Sequence, residues 1–89
     1  MSIVQGIIDP AGNIVRNKGK FKVLSKSGGL ARIQITGQKA TKAFVQAIAW
    51  RGDGDIGGSA VTASPDPKIA TVIAFAIDDR YGLSFRIEP

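Results

Sequence analysis

The sequence predicts an all-β fold: one domain over residues 1–89, built as a compact sandwich of two antiparallel sheets. Three observations carry this. Gly, Pro, Asn and Asp turn signals recur at short intervals along the chain. Between them, apolar residues alternate with polar ones at the period of a strand. No segment keeps helical apolar spacing over a useful length.

The elements follow in order, with strands expected near 2–8, 13–16, 20–26, 30–36, 43–50, 59–63, 68–77 and 83–88. The first ends at Asp9-Pro10 with Gly12-Asn13, and the second at Asn17 and Gly19. In "GKFKVLSKSGGLARIQI" period-two alternation sets Phe21, Val23, Ile33 and Ile35 on one face and Lys20, Lys22, Arg32 and Gln34 on the other. The Gly28-Gly29 pair permits the reversal between the two strands. "KATKAFVQAIAW" has alanines that suit a helix, but Val45, Ile48 and Trp50 suit a strand, and we read a strand over 43–50. A Gly-rich loop, "GDGDIGG", precedes the sixth strand, "SPDP" the seventh, and Asp78-Asp79 with Gly82 the last. That strand turns Leu83, Phe85 and Ile87 inward and Ser84, Arg86 and Glu88 outward.

Two strands are apolar on both faces. Phe44, Ile48 and Trp50 oppose Val45, Ala47 and Ala49, while Ile69, Ile73, Phe75 and Ile77 oppose Ala70, Val72, Ala74 and Ala76. With no helix to cover a second face, the economical reading is that another copy of the chain covers it; the alternative is a sandwich that bends enough to bury parts of both faces itself. A chain of 89 residues buries only about 60–65% of its unfolded surface and gains from further support. Cys and His are absent, which removes disulfides, thiolate or imidazole zinc sites, Cys or His nucleophiles and Ser-His-Asp triads, and leaves oligomerisation. No cofactor motif is present: neither a phosphate-binding loop of P-loop type nor a dinucleotide-binding glycine turn occurs. There is no basic n-region with a following apolar run and no apolar stretch approaching ~18 residues, so neither signal peptide nor membrane span is expected. The expected location is the cytoplasm or a phage- or virion-like particle, with non-classical export left open.

The net charge of +5 is uneven: residues 1–50 hold eight Lys/Arg against Asp9, and residues 51–89 hold four against six acids. A row of cations on a strand-rich protein reads first as a guard against edge pairing, and second as a polyanion site. The guard reading is preferred for Lys20 and Lys22 because no exposed aromatic row accompanies them. Phe21 has core phase, Phe44, Trp50, Phe75 and Phe85 sit in apolar strands, and Tyr81 in a turn is the ring expected to be exposed. Nucleic acid is therefore not the expected partner. Asp53 and Asp55 stand two apart among glycines, but Gly57 occupies the third ligand position of a calcium loop, so a solvated loop without metal is expected. Arg51-Gly52-Asp53 matches an integrin-binding tripeptide too short to carry a claim. Asp9-Pro10, Asp66-Pro67 and Asp78-Asp79 read as turns rather than as carboxylate pairs.

Over most of its length the chain also resembles a known family. "VQGIIDPAGNIVRNKGKFKVLSKSGGLARIQI" follows a pattern G-x-I-x-x-x-G, then G-x-F-x-V, then G-x-x-x-I-x-I, through Gly6, Ile8, Gly12, Gly19, Phe21, Val23, Gly29, Ile33 and Ile35. An apolar strand, a Gly-rich loop and a closing F-x-I at Phe85 and Ile87 complete it. The pattern resembles small members of the tumour-necrosis-factor and complement globular-head superfamily, although an aromatic usual in that pattern is replaced here by Ala31 or Arg32. The resemblance implies a jelly-roll-like sandwich that assembles as a homotrimer for display and recognition, with no catalytic residue. The expected function is a non-enzymatic trimeric binding or structural module of phage-fibre or adhesin type, recognising a glycan or protein surface. Expected trimer contacts are Val45, Ala47, Ala49, Val72, Ala74 and Ala76, and expected ligand contacts are Arg51, Asp53, Asp55, Tyr81, Lys20, Lys22 and Arg32. The alternatives are a basic small barrel that binds nucleic acid, and a hydrolase or self-processing protein that uses Asp53 or Asp78.

Overall fold

A type I′ hairpin turn, whose twist matches that of its strands, needs two adjacent residues that accept positive φ. Gly28 and Gly29 adopt φ 64° and 79°, and Ser27 pairs with Leu30 across them. The computed structural model describes residues 3–51 and 61–89. Among these it has eight strands: β1 (Val4–Ile8), β2 (Ile14–Lys18), β3 (Phe21–Ser27), β4 (Leu30–Ile35), β5 (Phe44–Trp50), β6 (Thr62–Pro65), β7 (Val72–Ala76) and β8 (Gly82–Glu88). They form two four-stranded sheets, in the order β2-β1-β8-β5 (sheet A) and β3-β4-β7-β6 (sheet B), with every pairing antiparallel. The first strand thus lies beside the last. No helix among the described residues is long and apolar enough to cross a membrane.

Three boundaries differ from expectation: β2 runs on through Asn17 to Lys18, and the end of β6 and the start of β7 differ around Asp66. The Asp66 carboxylate accepts the backbone N–H of Lys68 at 2.8 Å and of Ile69 at 3.0 Å, which holds those residues in a turn, so β7 starts only at Val72. Ser64 and Pro65, read as turn, belong to β6 instead. Pro65 is tolerated because β6 is an edge strand, where a missing N–H need cost no ladder bond. Residues 59 and 60, the start of the expected sixth strand, lie outside the described residues.

The core lies between the sheets and has the expected phase. Sheet A supplies Val4, Ile8, Leu83, Phe85 and Ile87, and sheet B supplies Phe21, Ile33, Ile35, Ile73 and Phe75, all buried. Phe85 is its centre, with Phe21 edge-on at 5.0 Å between ring centroids and Phe75 tilted at 5.7 Å. Gly6 lies directly over this cluster: a Cβ there would stand 2.5 Å from the Phe21 ring and 2.8 Å from the Phe85 ring, so only glycine lets β1 approach so closely. In β3 a register shift between Val23 and Ser25 leaves Leu24 in solvent and sets Lys26 opposite the buried Ala31. Val72 and Ile73 are both buried although adjacent in one strand, so the protomer itself covers part of the second face of β7. Val72 lies there beside its register partner Gln34 and bonds Asp66 through its carbonyl.

Candidate functional site

An open sheet presents unpaired backbone groups at both edges, and these invite pairing unless something blocks them. Three of the four edges here are blocked. β2 carries Arg16 and Lys18, which follow the exposed Ile14 and Val15. β3 carries Lys22, Lys26 and the register shift. β6 is four residues long and holds Pro65. The fourth edge, β5, is seven residues of "FVQAIAW" with no charge and no proline, in unbroken register with β8.

The outward face of β5 is apolar as well. Phe44 is 62% and Ile48 45% exposed, and Gln46 between them is also in solvent. On the rung that holds Ile48 the next residues are Ser84 and then Ile7, so one small side chain separates two isoleucines. Ile3 is exposed just ahead of β1. The other half of this face is basic. One rung runs Lys18, Gln5, Arg86, Gln46, and Arg16 stands on the rung beside it. Arg86 donates from Nη2 to Glu88 Oε1 at 2.9 Å, while its Nε is shielded from solvent and bonds no acceptor among the described residues. Arg16 and Lys18 are exposed and, among the described residues, have no ion-pair partner. These residues help line an open groove of about 1020 Å³.

The outer face of sheet B has the opposite character. Arg32 pairs with Asp66 at 2.9 Å, their side chains only 32% and 14% exposed. The two backbone N–H bonds to Asp66, with Arg32 adding to them, hold its carboxyl below the ordinary value. Gln34 donates to Thr71 Oγ1 at 3.1 Å. The basic face read from the sequence is thus reduced to Lys20 and Lys22, both exposed, because Arg32 and Gln34 are engaged within the protomer.

The expected trimer contacts do not share a surface. Val45 and Ala47 pack against the core and Ala49 is buried within it, on the inner side of sheet A. Ala74 and Ala76 face outward from sheet B, and Val72 is fully buried. The correction has a packing cause: Val45, Ala47 and Ala49 stand opposite Ile87, Phe85 and Leu83, so small residues fill the space that bulky neighbours leave. The exposed apolar surface of β5 is therefore Phe44 and Ile48. Tyr81 is also corrected: it is half-buried against the core, with the Arg80 guanidinium 5.9 Å from its ring centroid, and Phe44 is the exposed ring. Arg51 is exposed at the end of β5, and Asp53 and Asp55 lie outside the described residues.

The remaining carboxylates serve turns. Asp9 accepts the N–H of Ala11 and of Asn13, and Asp79 accepts the N–H of Gly29, tying the β7–β8 turn to the β3–β4 hairpin. Asp78 accepts both the side chain and the backbone N–H of Arg80, which lowers its carboxyl to about 2. Among the described residues no group of three or more carboxylates stands close enough to hold a metal ion. Compared with protein-family models, with curated proteins and with solved structures, the chain gives no match.

Proposed function

We propose that the protein is a non-enzymatic binding or structural module that works as a homotrimer, built through the β5 side of sheet A. The observation that carries this reading is the uncharged edge strand β5 with Phe44 and Ile48 in solvent. Neighbouring copies that cover Phe44, Ile48 and Ile3 would bury that surface and shield the free edge. The contact set differs from the one read off the sequence, but the same two-sided strand motivates it.

The winding of the chain supports the jelly-roll form of the reading. β1 pairs with β8 and β4 with β7, then β5 joins β8 and β6 joins β7, so distant strands pair in nested order as in Greek-key winding. This is also the support for a likeness to the tumour-necrosis-factor and complement-head superfamily, whose members display loops from a trimer. The turns at Gly28-Gly29 and Asp78–Tyr81, linked by the Asp79–Gly29 bond, would then be display loops on a rigid frame.

The test is the dependence of the thermal unfolding midpoint on protein concentration. Unfolding linked to dissociation raises the midpoint as concentration rises. A midpoint that stays fixed over a hundredfold range in concentration overturns the proposal.

A further inference from the structure

We infer that the β2 half of the outer face of sheet A is a binding site for a linear sulfated polysaccharide, held by Arg16, Lys18 and Arg86. Guarding the β2 edge accounts for Arg16 and Lys18 but not for Arg86. That residue is on β8, which has a hydrogen-bonded neighbour on each side, so a cation there protects no edge. Adjacent strands lie about 4.8 Å apart and alternate residues of one strand about 7 Å apart. Lys18 and Arg86, separated by Gln5 on one rung, are therefore ~10 Å apart at their backbones, with Arg16 one rung away. Three cations thus share one side of one sheet, with Glu88 as the acid on Arg86.

The rest of the site suits a polysaccharide. The Gln5 amide and Ser84 hydroxyl lie among the cations on the same face and offer donors and acceptors to sugar hydroxyls. The groove is open, as a chain passing through requires, and does not enclose a small molecule. A single-stranded nucleic acid draws on rings for its bases to stack upon. No aromatic side chain stands between β2 and β8 on this face, and Phe44 lies beyond β8, next to Glu88. Arg16 and Lys18 lie at the far edge of the sheet from Phe44 and Ile48 and Arg86 one strand from them; the inference rests on the three cations and not on the oligomer proposal.

The deciding experiment measures binding of a heparin oligosaccharide by calorimetry at about 50 mM salt, with folding of each variant checked by its melting curve. The double variant Arg16→Gln/Lys18→Gln and the single variant Arg86→Gln are each expected to weaken binding by about tenfold, since charge-assisted hydrogen bonds are lost in each. Lys20→Gln/Lys22→Gln removes the same net charge as the first variant from elsewhere and is expected to change affinity by less than about twofold. Should Arg86→Gln fail to fold, the two double variants decide between them. Equal weakening by the two doubles, or absence of binding by the natural chain, overturns the site. Tighter binding of a thymidine oligonucleotide than of heparin at the same salt overturns the choice of ligand.

Discussion

On the outer face of sheet B, Arg32 is held by Asp66 and Gln34 by Thr71, and the outward positions of β7 are filled by Ala74 and Ala76. On the outer face of sheet A, Arg16 and Lys18 have no ion-pair partner among the described residues, and Phe44 and Ile48 stand in solvent. Both faces come from sheets of four antiparallel strands, so architecture does not cause the difference. Sheet B engages Arg32 and Gln34 inside the protomer while Lys22, Leu24 and Leu30 stay in solvent. Sheet A pairs Arg86 with Glu88 but leaves Arg16 and Lys18 without an ion-pair partner among the described residues and Phe44 and Ile48 in solvent.

The largest expected effect removes the frame that both faces share. Phe85→Ala empties the centre of a core contacted from the other sheet by Phe21 and Phe75, and should cost about 3–5 kcal/mol in urea unfolding. Lys22→Ala, in a solvent position on the outer face of sheet B, should change stability by no more than about 0.5 kcal/mol. If Lys22 were the sensitive position, the inner and outer faces would have been exchanged by one residue of register.

A smaller effect sharpens the contrast between the charged groups. Arg32→Gln removes the cation from a half-buried pair and should lower the thermal midpoint measurably, whereas Arg16→Gln on sheet A should leave it unchanged. Equal midpoints for the two variants would break the distinction between a satisfied face and an open one.

The smallest effect is acid titration. Asp78 is lowered from 3.8 to about 2, and Asp66 and Asp9 are lowered as well. A carboxyl with a depressed folded value stabilises fully above its unfolded value and loses that contribution as pH falls through the folded one. Stability should therefore fall between about pH 4 and pH 2, and Asp78→Asn should flatten part of that fall. Urea midpoints at about pH 5, 3 and 2 check it.

Strand phase was legible wherever charges marked the outer side. Lys22 and Arg32 placed Phe21 and Ile33 inside, as Ser84 and Arg86 placed Phe85. In "AFVQAIAW" no charge marks either side, and period alone cannot choose between two apolar faces. The choice is made by pairing, which sets Val45, Ala47 and Ala49 opposite the inward Ile87, Phe85 and Leu83 and is not carried by period. The fate of Arg32 was not legible, because its partner Asp66 is 34 residues away and only the β4–β7 pairing brings the two together. Tyr81 misled for a similar reason, since a turn position implies exposure while the turn itself folds the ring against the core.

Solution mass by light scattering is the direct probe of whether other copies of the chain cover the β5 side of sheet A. Coverage of β5 within a homotrimer predicts about three times the 9.3 kDa of one chain for the natural protein. It predicts a single-chain mass for a still-folded Phe44→Asp variant, and an unchanged trimer for Ala76→Asp on the outer face of sheet B. A natural protein of single-chain mass at all concentrations, or a trimer that Phe44→Asp leaves intact, would contradict it.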